Sequence, residues 1–101
     1  MGGADLKMRR GTTPILRFRT SQDWTGYDLE LTMEDDNTEL VFYNDRLSLD
    51  NTDILIQLTQ EETLAFNKSC KAQIRGKKDN NVIATDVVKI KVLPILNEEV
   101  M

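Results

Sequence analysis

Strict alternation of apolar and polar residues is the feature that most limits what this chain can fold into. Tyr27, Leu29, Leu31 and Met33 interleave with Asp28, Glu30, Thr32 and Glu34. Successive side chains of a strand point to opposite faces, so this segment predicts a strand with one face in a core and the other in water. The same period recurs along the chain. It places Leu16 and Phe18 inward on Ile15 to Thr20, Leu40 and Phe42 on Glu39 to Tyr43, and Leu47 and Leu49 on a short strand after Asn44-Asp45. Ile54, Ile56 and Leu58 follow, then Cys70, Ala72 and Ile74, and finally Val88, Ile90 and Val92.

The punctuation between these runs fits strands joined by turns. Asp35-Asp36-Asn37 and Asp50 to Asp53 are turn-formers, because short side-chain acceptors satisfy turn amides. Gly76 to Asn81 reads as a polar hairpin loop, and the Val87-Val88 pair breaks the last alternation as a β-bulge would. Ser21 to Gly26 is a connection with Trp24 folded over one end of the core. Thr59-Gln60-Glu61-Glu62 matches a capping box for one or two helical turns, with Leu64 and Phe66 on the apolar side. About seven antiparallel strands with a helical turn between the fifth and sixth predict an all-β, immunoglobulin-like sandwich. The expected organisation is a loose arm or leader over residues 1–9, with Met8 a possible natural start, and one domain over residues 10–101.

With 101 residues there is room for one core. Charged residues make up 30% of the chain and apolar ones 40%, ordinary for a soluble domain, and no apolar run is long enough for a membrane span. No signal-peptide pattern opens the chain. Histidine is absent, which removes the commonest general base and transition-metal ligand. Cys70 is the single cysteine, so no intrachain disulfide forms, and without a base beside it the thiol reads as a small core residue. The carboxylates of Asp35, Asp36 and Glu39, and of Asp50 and Asp53, lack the spacing of a calcium loop. Asn67-Lys68-Ser69 matches a glycosylation sequon, a chance match in a chain with no export signal. The expectation is no catalytic residue, no metal and no cofactor. A net charge of −4, with aromatics not interleaved among the basic positions, argues against nucleic acid.

Charge is segregated along the chain. From Asp23 to Glu62 there are twelve acidic residues and one basic, Arg46, whereas Lys68 to Lys91 holds seven basic and two acidic. If the acidic and basic strands lie in different sheets, the domain presents opposite signs on opposite faces and can associate head to tail, building rings or filaments. The candidate contact residues are Asp28, Glu30 and Glu34 on one side, and Lys71, Arg75, Lys89 and Lys91 on the other. Val41, Tyr43 and Leu55 are apolar or aromatic at nominally outward positions, and Tyr43 joins the candidate surface.

Arg10-Gly11-Thr12-Thr13-Pro14, the run Leu58 to Phe66, Gln73-Ile74-Arg75 and Ile95-Leu96 together resemble a group of short proteins encoded among tail and baseplate genes of phages and prophages of Gram-positive bacteria. The likeness covers about Arg9 to Met101 and extends, more loosely, to the N-terminal domain of siphophage baseplate upper proteins. It implies a non-enzymatic structural module that contacts other tail or baseplate proteins, or copies of itself, in a virion assembled in the bacterial cytoplasm. Two features depart from the pattern: the hairpin Lys77 to Asn81 is more charged than a short glycine turn, and no stalk follows Met101. The alternative expectation is a ligand-binding immunoglobulin-like module, such as a carbohydrate-binding domain using Trp24, Tyr27 or Tyr43.

Overall fold

A computed structural model describes residues 6–101 as two β-sheets packed face to face. Nine strands are present among them: β1 (Leu6–Arg9), β2 (Ile15–Phe18), β3 (Asp28–Glu34), β4 (Glu39–Tyr43), β5 (Leu47–Asp50), β6 (Asp53–Gln57), β7 (Ser69–Lys78), β8 (Asn81–Ala84) and β9 (Val88–Leu93). A 3-10 turn (Asn44–Arg46) follows β4, and helix α1 (Gln60–Leu64) follows β6. The larger sheet has the order β1-β9-β7-β3-β4, with β8 also paired to β7, and the smaller has the order β2-β6-β5. β1 runs parallel to β9, and the other pairings are antiparallel. The expected immunoglobulin-like sandwich is therefore present.

Alternation built this core as expected. Leu29, Leu31 and Met33 of β3 are buried against Ile54 and Ile56 of β6, Cys70, Ala72 and Ile74 of β7, and Ile90 and Val92 of β9. Trp24 closes one end. Its ring meets Tyr27 edge-on at 5.7 Å, and its indole N–H donates to Thr20 Oγ1 at 2.8 Å. Gly76 lets the ring lie against the β7 backbone, since a Cβ there would sit 2.7 Å from Trp24 Cζ3.

The capping box at α1 is complete. Thr59 Oγ1 accepts from the Glu62 amide at 3.2 Å, and Glu62 Oε1 accepts from the Thr59 amide at 2.8 Å. Arg46 donates to both Glu62 oxygens, at 2.7 and 2.9 Å, and lies over the Phe42 ring. Those hydrogen bonds hold the Glu62 carboxyl below its ordinary range. The one basic residue of the acidic stretch is thus a brace between the 3-10 turn and the helix.

Four expectations change. Leu6–Arg9 is not part of a loose arm but a strand that buries Met8 between the sheets; the rest of the expected arm, residues 1–5, lies outside the described residues. The Gly76 to Asn81 loop is mostly strand, because β7 continues to Lys78 and turns at Asp79, whose φ of 54° is left-handed. Leu49 shares a register face with Ile54 but is 44% exposed, because β5 is a four-residue edge strand with no neighbour to cover it. The strands number nine rather than seven because β1 and a divided last strand were not separable by alternation. That division is the expected bulge: Ala72 faces Val88 and Arg75 faces Ala84, so Gln73 and Ile74 oppose the three residues Thr85 to Val87. Thr85 Oγ1 accepts the Ile74 amide at 3.1 Å where a regular ladder would supply a carbonyl.

Replacing Gly76 with alanine forces a methyl into the Trp24 ring, so Gly76→Ala is expected to lower unfolding free energy by about 1–3 kcal/mol. Chemical denaturation checks this, with the native Trp24 fluorescence maximum expected to shift as the indole is displaced.

Candidate interaction face

The outer face of the larger sheet is the most strongly patterned surface of the fold. β3 and β7 pair over seven positions, from Asp28 opposite Lys77 to Glu34 opposite Lys71. Since Leu29, Leu31 and Met33 point inward, Asp28, Glu30, Thr32 and Glu34 point out, and so do Lys71, Gln73, Arg75 and Lys77 of β7. β4 adds Glu39, Val41 and Tyr43 on one flank. β9 adds Lys89 and Lys91 on the other, with Lys7 of β1 opposite Lys91.

All eight sequence-predicted contact residues therefore lie on one face: Asp28, Glu30, Glu34, Tyr43, Lys71, Arg75, Lys89 and Lys91. This corrects the expectation that acids and bases occupy different sheets. The acidic strand β3 is hydrogen-bonded to the basic strand β7, not to the acidic β6. Charges that are distant in sequence become neighbours across a ladder, and Arg75 bridges Glu30 at 2.9 Å. The polarity survives in a different form, running across the face from an acidic β4–β3 side to a basic β7–β9–β1 side.

One row across the strands is unbalanced. Glu39 stands opposite Glu34, Glu34 opposite Lys71, and Lys71 opposite Lys89. Like charges directly opposite one another are unfavourable, and this row has one such pair at each end. Apolar groups border it: Tyr43 is 57% exposed, and Val41, Val82 and Val87 are also exposed. Val87 sits at the bulge, beside Thr32, Gln73 and Lys71 around a shallow depression. Sequence reading missed Val82 and Val87, because only the register of β8 and the bulge brings them to this face.

The other sites weighed from sequence have structural occupations. Asp35 Oδ1 accepts the amides of Asn37 and Thr38 at 2.9 and 2.8 Å, closing its own turn. Asp50 and Asp53 both hold Arg17, at 3.0 and 2.7 Å. Leu55 is half-buried on the outer side of the smaller sheet, away from Tyr43. A cleft of about 530 Å³ opens between β2 and the β8–β9 segment, lined by Leu6, Phe18, Arg19, Trp24, Ile83 and Val88 among others. Among the described residues no group of three or more acidic or cysteine side chains is placed to hold a metal ion. No helix among them is long and apolar enough to cross a membrane.

Of the four stretches that carry the resemblance, three meet in space, and Gln73-Ile74-Arg75 lies apart from them in the middle of β7. Arg10 donates to the carbonyls of Phe66 and Leu64, both at 2.8 Å, so it closes the end of the α1 segment, and it also pairs with Glu98. Gly11 has φ 73°, and a Cβ there would press on Ile95. Pro14 accepts the Leu58 amide at 3.0 Å. Arg10 and Gly11 thus tie the segment after β1 to the α1 segment and to Ile95 and Glu98, and Pro14 ties it to the end of β6. No family model matches the chain, and no curated protein and no solved structure matches it either.

Cys70 is buried on β7, and burial pushes its thiol up to about 12. The thiolate is the reactive form, so native protein at neutral pH should react with a thiol-specific disulfide reagent at least about a hundredfold more slowly than denatured protein. Stopped-flow labelling with and without denaturant measures this. Equal rates would mean that the thiol is not buried in the core.

Proposed function

We propose that this protein is a non-enzymatic assembly module, acting through protein–protein contacts made by the outer face of its larger sheet. The observation that supports this best is the gathering of Asp28, Glu30, Glu34, Lys71, Arg75, Lys89 and Lys91 beside Tyr43, Val41, Val82 and Val87 on one continuous face. Ordered charge with exposed apolar residues at its borders suits a specific, salt-sensitive protein contact. The setting comes from the likeness in Arg10 to Pro14 and Leu58 to Phe66: a phage or prophage tail or baseplate, assembled in the bacterial cytoplasm. The chain's fully bonded polar interior fits such a rigid part, with no unsatisfied buried side-chain polar atom among the described residues.

The carbohydrate-binding alternative has less support. A sugar platform needs exposed aromatic rings, but Trp24 is buried and Tyr27 packs against it. Among the described residues Tyr43 is the one exposed aromatic, and it stands beside the Glu30–Arg75 ion pair.

Mass spectrometry of density-purified particles from an induced lysogen carrying the gene tests the setting. Peptides of this chain should co-purify with tail proteins and should disappear from particles when the face carries Lys71→Glu with Lys89→Glu. A chain found only in the soluble lysate would overturn the reading.

A further inference from the structure

The unbalanced row has a symmetry that names its partner. Read across β4, β3, β7 and β9, Glu39, Glu34, Lys71 and Lys89 follow the sign order minus, minus, plus, plus. A half-turn about an axis parallel to the strands, in the plane of the interface and between β3 and β7, reverses that order. Glu39 of one copy then lies over Lys89 of the other, and Glu34 lies over Lys71. Every carboxylate of the row meets an ammonium, twice over.

The neighbouring rows match under the same operation. Tyr43, Glu30, Arg75 and Ala84 form the second outward row along the strands. The half-turn sets Tyr43 over Ala84, whose outward neighbour on β8 is Val82, and Glu30 over Arg75. Between these rows, Val41 and Thr32 oppose Gln73 and the bulge residue Val87. Apolar border meets apolar border, and polar centre meets polar centre. A face complementary to its own rotated image is the requirement for an isologous dimer.

From this symmetry we infer that the partner of the outer face is a second copy of this chain, packed face to face as a two-fold dimer. The inference rests on the assembly reading above and gives that surface its occupant. Like-charge pairs that are unfavourable in a lone domain become complementary pairs in the dimer. Four strands roughly 4.8 Å apart, with about six residues each, present on the order of 400 Å² of flat area per copy. That is at the small end of specific interfaces, so the dimer exchanges with monomer and depends on concentration and salt.

Sedimentation of the full chain over about 1–500 µM provides the test. A monomer–dimer equilibrium is expected, weakened at least about tenfold when salt rises from about 0.05 to about 0.5 M. Glu34→Lys with Glu39→Lys makes the row wholly basic, and Lys71→Glu with Lys89→Glu makes it wholly acidic. Each variant alone should be monomeric, and an equimolar mixture should restore a dimer containing one of each. If charge reversal destabilises the fold, the neutral pair Glu34→Gln with Lys71→Gln should keep the native circular dichroism and lose at least about tenfold in association. Wild-type protein that is monomeric at every concentration, a dimer indifferent to these substitutions, or a mixture that does not associate would each overturn the inference. A monomeric chain that still enters particles would remove the dimer and leave the assembly reading standing.

Discussion

The pairing of β3 with β7 is the constraint on which the rest of this structure depends. Seven consecutive residue pairs, from Asp28–Lys77 to Glu34–Lys71, join the centre of the larger sheet. On the inner side the same register packs Leu31 beside Ile74 and Met33 beside Ala72, all essentially inaccessible to water. On the outer side it places four acidic or polar residues against four basic or polar ones. A slip of β3 by one residue against β7 would turn β3 over, burying Glu30 and Glu34 and exposing Leu29, Leu31 and Met33. The hydrophobic core and the surface charge pattern are thus two consequences of one register.

Other features secure that register from its ends. Gly76 admits Trp24 against the β7 backbone at one end of the ladder. At the other end, Thr38 of the β3–β4 turn donates to the Ala65 carbonyl just after α1. The bulge at Thr85 to Val87 lets the chain pair with β7 twice, before and after an extra residue, so one strand edge is covered over nearly its full length. Arg10 and Arg46 do comparable work at the helix, one binding carbonyls at and just past its C-terminal end and the other the carboxylate of its capping box. Neither arginine belongs to the outer face, which separates the basic residues that hold the fold from those that pattern its surface.

Much of this was legible in the sequence because it is local. Alternation identified Leu29, Leu31 and Met33 as core, and Thr59 with Glu62 as a helix cap, since both depend on residues a few positions apart. Which residues of β3 and β7 point outward was legible for the same reason. Which strands are neighbours was not. Alternation is silent on whether β3 pairs with β6 or β7, so charges separated along the chain were expected on separate sheets and proved adjacent. Leu49 alternates as cleanly as Ile54 does, yet only a sheet edge distinguishes them. The four residues of β1 contain a single buried side chain, Met8, and their partner lies more than eighty positions away, beyond the reach of any local signal.

The β3–β7 register is open to direct measurement by nuclear Overhauser contacts between backbone protons of the two strands. The account predicts cross-strand contacts linking Glu30 with Arg75, Thr32 with Gln73 and Glu34 with Lys71. Contacts shifted by one residue, or contacts of β3 with β6 in place of β7, would contradict both the core and the charged face built on it.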